Sequence, residues 1–128
     1  MIKRILFFIL MVSLLKEESF SQGNGKNVFL IDHLSKDGVL LNSDWRLYSG
    51  DDSAFATPYF DDSRWQPIDP TQDIYSLPQL WNTNICWFRL HLAVDSSIAS
   101  KHLLFLIQQT GASEIYLNGQ PITLIRRG

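Results

Sequence analysis

A chain of 128 residues that is 45% hydrophobic and 12% aromatic carries enough apolar side chain to close one core, which excludes a disordered polypeptide. Its net charge of −2 leaves no clustered basic surface for phosphate and excludes a nucleic-acid role. The single cysteine, Cys86, excludes an internal disulfide and reads as a small apolar core residue.

Lys3 and Arg4 precede the apolar run Ile5 to Leu15, which the polar stretch KEESFSQ follows. This is the layout of a secretory signal peptide over residues 1–21: the run is too short for a membrane span, which needs about 20 apolar residues. Ser19 and Ser21 place small side chains where a signal peptidase reads, so cleavage is expected near Ser21 and Gln22. Removal takes three of the eleven basic and two of the thirteen acidic residues, leaving eight and eleven and a net charge of −3. The expected location is the periplasm or the cell-envelope face, since an exported domain without disulfides fits a bacterial envelope.

Residues 22–37 form a linker and an expected edge strand, VFLID. From Asp44 to Asp73 the chain carries seven aspartates, three prolines and two tryptophans with little periodicity. Asp and Pro supply turns, while Trp45, Tyr48, Phe55, Tyr59, Phe60 and Trp65 supply apolar anchors. The next segment, TQDIYSLPQLW, carries a helical turn that Pro78 keeps short.

Regular alternation begins at Ile85: Phe88, Leu90, Leu92 and Val94 share one face of a strand, and Trp87, Arg89 and His91 the other, partly polar face. A turn at DSSIAS leads into HLLFLIQQ, almost continuously apolar for six residues and expected as a central strand covered on both faces. In SEIYLNGQPI, Ile115 and Leu117 point inward, and Asn118-Gly119 marks a type I′ hairpin because both turn positions need positive φ. The pattern predicts an all-β, antiparallel fold.

Sites of chemistry are sparse. His33, His91 and His102 lack metal spacing, and the paired aspartates Asp51-Asp52 and Asp61-Asp62 read as turn and cap residues. There is no nucleophile elbow, and Glu114, the sole glutamate after the leader, has no partner for glycoside hydrolysis. The chain is therefore read as non-catalytic, with no cofactor and no metal. Trp81, Trp87, Arg89 and Glu114 are the ligand-binding candidates, since indoles stack on sugar rings and a guanidinium holds carboxylates or hydroxyls. Against this, Trp45, Trp65 and Trp87 read as core, and Arg89 as a cross-strand partner of Glu114.

Three segments fall in an ordered series: FDDSRWQPID from Phe60, WFRLHLAVD from Trp87 and SEIYLNGQPI from Ser113. Together they resemble the galactose-binding-like jelly-roll domain of family-two glycoside hydrolases. The closer variant is similar to the extracytoplasmic N-terminal region of sensor histidine kinases and signalling phosphatases of Bacteroidetes-type bacteria. The series departs from the family at Asn84, Ile85 and Cys86, where small glycines usually stand. The resemblance implies an antiparallel β-sandwich over residues 38–128, with fewer strands than the eight of a jelly roll, so the chain reads as a fragment. It further implies a sensory, ligand-binding role in a membrane-bound signalling protein, reached through later segments. The alternative is the carbohydrate-binding accessory domain of an exported glycoside hydrolase. The partners so implied are a carbohydrate or other small molecule, no nucleic acid, and a second copy meeting an open strand edge.

Overall fold

The computed structural model describes residues 7–14, 27–108 and 111–122, the first of these by its backbone path alone. Expected features at Ser19, Ser21 and the chain after Ile122 lie outside these residues. The described residues form seven strands: β1 (Phe7–Leu14), β2 (Phe29–Ile31), β3 (Trp45–Ser49), β4 (Gln66–Ile68), β5 (Ile85–Val94), β6 (Ser113–Leu117) and β7 (Gln120–Ile122). They form one curled sheet in the order β4-β3-β5-β1-β6-β7, with β2 paired to the end of β5. The only α-helix among the described residues is the four-residue α1 (Ser96–Ala99), and no described helix is long and apolar enough to cross a membrane.

The β-rich class agrees with the alternation in the sequence, but the expected wholly antiparallel pairing does not hold. β3 pairs antiparallel with β4 and β5, and β6 with β7, whereas β1 runs parallel to both β5 and β6, and β2 parallel to β5. The cause is the placement of β1, which lies between β5 and β6 and is in register with each: Leu10 opposes Phe88 on one side and Ile115 on the other.

The main core lies on one side of β5, where Cys86, Phe88, Leu90 and Leu92 meet Trp45, Leu47, Ile68, Leu80 and Ile98. Each large apolar chain so buried contributes about 1.5 to 3 kcal/mol. Trp45 is fixed by its indole Nε1, which donates to the Leu41 carbonyl at 2.8 Å. Cys86 is fully buried as expected, and burial raises its thiol pKa.

The aspartate-rich excursion covers the opposite side of β5. Phe55, Trp65 and Trp87 form a second buried cluster, joined by ring contacts of 5.0 to 5.5 Å. The partly polar face of β5 is thereby covered: Arg89 and His91 are buried, at 1% and 5% exposure, because the excursion folds over them. Turn chemistry explains most of its aspartates. Asp52, Asp61, Asp69 and Asp73 each accept a backbone N–H two residues on, at 2.9 to 3.0 Å. Ahead of Pro78 the expected helical turn forms over Ile74–Ser76.

The second correction concerns HLLFLIQQ. Residues 102–108 belong to no strand, and Leu104 and Leu106 are 95% and 90% exposed. Only Leu103 and Phe105 pack partly on the main core. The place beside β5 that a following strand would fill is held by β1. The final hairpin forms as expected, with Asn118 at φ 50° and Gly119 at φ 79°, both in the left-handed region that a type I′ turn requires.

Candidate functional site

The three motif segments meet around β5. The first touches the second through charge: the Arg89 Nε donates to Asp62 Oδ2 at 2.8 Å, and His91 Nε2 shares that oxygen at 2.8 Å. The Arg89 guanidinium also donates to the carbonyls of Phe55 and Thr57, and lies 5.7 Å from the Phe60 ring and 5.8 Å from the Trp65 ring. Asp62 is only 3% exposed. Burial pushes its carboxyl pKa up, but hydrogen bonds from His91 and Arg89 outweigh this and hold it at about 2. Sequence reasoning placed Asp62 among the turn residues, and its carbonyl does accept the Trp65 N–H at 2.9 Å, but its side chain serves Arg89 and His91; the expected pairing of Arg89 with Glu114 is corrected. Arg89 and His91 stand two residues apart on one strand face, and a guanidinium there, once covered, requires a buried counter-ion.

The second and third segments meet through rings. Trp87 stacks on Tyr116 with centroids 5.9 Å apart and planes inclined at 24°. The third segment returns to the aspartate-rich excursion at Gly119, where an added Cβ would stand 2.8 Å from Pro58 Cδ. Close approach and positive φ together require glycine at this position.

Where these contacts converge there is a cleft of about 420 Å³, lined by Asp51, Asp52, Ser53, Ala56, Trp87, Glu114, Tyr116 and Gly119. Two features set its chemistry. It carries three carboxylates, and Glu114 accepts the Tyr116 hydroxyl at 3.0 Å. That bond raises the Tyr116 phenol pKa, with Asp51 adding to the effect through its charge. The second feature is Trp87, 2% exposed, whose Nε1–H finds no hydrogen-bond partner among the described residues. That nitrogen is itself enclosed, so Trp87 serves the cleft through its ring, and an indole N–H buried without an acceptor costs about 1 to 3 kcal/mol.

Of the four expected ligand residues, Trp87 and Glu114 are thus brought together in the cleft, while Arg89 is committed to Asp62. Trp81 belongs elsewhere: it is half-exposed beside the turn at Ile74, whose carbonyl accepts its Nε1–H at 3.3 Å. Asp51, Asp52 and Tyr116 are additions that linear order concealed, because 62 positions separate Asp52 from Glu114. Among the described residues no three His, Cys, Asp or Glu side chains are placed to hold a metal ion. No family model, curated protein or solved structure matches the chain.

Proposed function

We propose that this chain is a non-catalytic ligand-binding domain that works outside the cytoplasm and takes a small polyhydroxylated compound of the carbohydrate class in the Trp87 cleft. The observation that carries this reading is a cleft that sets the stacked rings of Trp87 and Tyr116 beside the carboxylates of Asp51, Asp52 and Glu114. Sugar hydroxyls can donate to Glu114, Asp51 or Asp52. An anion would meet three negative charges, and among the described residues these carboxylates are not placed to hold a metal ion. Tyr116 adds an aromatic surface of the kind that sugar C–H faces pack against.

In this reading the domain is a galactose-binding-like jelly roll acting as the sensory region of a membrane-bound histidine kinase or phosphatase. Supporting the resemblance, its three motif segments touch in order through the Asp62–Arg89 pair and the Trp87–Tyr116 stack. The aromatic and carboxylate lining would equally serve an accessory domain of an exported glycoside hydrolase.

Isothermal titration of the chain with a panel of monosaccharides, oligosaccharides and polymeric glycans tests the reading. Binding is expected for at least one member, weakened about tenfold by Tyr116→Ala, which removes an aromatic surface from the cleft. Glu114→Gln is expected to weaken it as well. A small saccharide as preferred ligand favours a sensor, and a polymer favours the accessory domain. Binding that neither substitution alters, or no binding by any polyhydroxylated compound, overturns the assignment.

A further inference from the structure

The position between β5 and β6 is one strand wide. Both strands pair with β1, on opposite sides and parallel to it, so β5 and β6 run parallel to each other about two strand spacings, roughly 10 Å, apart. Eighteen residues, 95–112, connect them. Within that connection lies LLFLIQ, residues 103–108, uncharged and almost wholly apolar. Its exposure alternates as a strand's does: Leu103 and Phe105 rest partly on the main core, while Leu104 and Leu106 are 95% and 90% exposed. This is a strand's side-chain pattern without a strand's hydrogen bonds.

We infer that the gap between β5 and β6 is a strand-acceptor site whose resident strand is residues 103–108, and that residues 7–14 hold the place until the leader is removed. Topology supports the exchange. A chain leaving β5 at Val94, reversing through α1 and passing back between the two strands would run antiparallel to each. It would then need only residues 109–112 to turn into β6, a connection of four residues and of ordinary hairpin length. β5, residues 103–108 and β6 would then form a continuous antiparallel meander, a pairing somewhat more stable per residue than the parallel one that β1 makes. The exchange also removes the two most exposed leucines from water: a segment apolar on both faces is suited to the middle of a sheet covered on both sides, not to a surface. Both segments are strand-length and apolar, and the gap admits one. The inference rests on reading residues 1–21 as a removable leader and is independent of what the Trp87 cleft binds.

Replacing residues 16–21 of the full chain by the recognition sequence of a site-specific protease allows the exchange to be triggered in the folded protein. Hydrogen exchange followed by mass spectrometry then reads residues 103–108 and β5 separately. In the uncut chain the amides of 103–108 are expected to exchange rapidly. After cleavage the leader fragment is expected to dissociate, and these amides to slow by at least about a hundredfold, with β5 still protected. Fast exchange at 103–108 beside a protected β5 overturns the inference, as does retention of the leader fragment, and so does loss of protection throughout. The double variant Leu104→Asp, Leu106→Asp supplies an independent check. It is expected to leave the uncut chain unchanged, since both side chains face water there, and to abolish the protection gained on cleavage. Protection that survives two buried carboxylates would equally refute strand insertion.

Discussion

β5 is flanked by two long excursions of opposite character. The first, from Gly50 to Asp69, folds over Trp87, Arg89 and His91 and is fastened by three separate means: interlocked rings, a buried ion pair and turns built on aspartate. The second, residues 95–112, is also rich in apolar side chains but leaves Leu104 and Leu106 almost wholly in water. Hydrophobicity alone therefore does not dock a connection. Aromatic rings and a charged pair dock irregular backbone because each makes directional contacts with a particular neighbour. An aliphatic row makes none, and it needs a hydrogen-bonded ladder to hold it before its side chains become useful.

The contrast is broken most sharply at Asp62. Asp62→Ala leaves Arg89 and His91 buried without their carboxylate and is expected to cost about 3 to 5 kcal/mol, read as a lowered midpoint in urea unfolding. Acid does the same reversibly. The Asp62 carboxyl titrates near 2 in the folded protein against an ordinary 3.8, so its stabilisation is complete above that ordinary value and disappears as pH falls towards 2. The shift corresponds to about 2 kcal/mol. Unfolding midpoints measured across this range should fall for the native chain and show a shallower slope for Asp62→Asn.

Next in size is Gly119→Ala. A left-handed backbone and the approach of Pro58 oppose any side chain there, and about 1 to 2 kcal/mol of stability is expected to go, detectable by thermal melting. The smallest effect belongs to the second excursion. Leu104→Ser in the uncut chain is expected to change stability by less than about 0.5 kcal/mol, the ordinary range for an exposed position. A larger loss would mean that Leu104 is already engaged, and that the two excursions differ less than their exposures indicate.

How much of this was open to sequence reading follows from the range of each interaction. β5, β6 and the Asn118-Gly119 turn are legible because side-chain alternation and turn preference are set within a few residues. The same holds for the turn-forming roles of Asp52, Asp61, Asp69 and Asp73. Asp62 was hidden because its neighbour Asp61 is the same residue type and accepts a backbone N–H in the turn; only the fold shows that the Asp62 side chain serves Arg89 and His91. The cleft joins Asp51 and Asp52 to Trp87, Glu114 and Tyr116, so only Trp87 and Glu114 could be named beforehand, and for their chemistry alone. The failure at residues 103–108 is of a third kind. Their strand pattern is plain, but pairing depends on which segment holds the neighbouring place, and periodicity carries no information about that competition.

Cys86 lends the molecule a built-in clock. As the sole thiol, fully enclosed on the central strand and donating to the Thr83 hydroxyl, it can meet a modifying reagent only when β5 separates from its surroundings. The rate of alkylation therefore counts openings of the core, one molecule at a time and without an introduced label. Under conditions where closing outruns reaction, that rate converts directly into the free energy of the opening event.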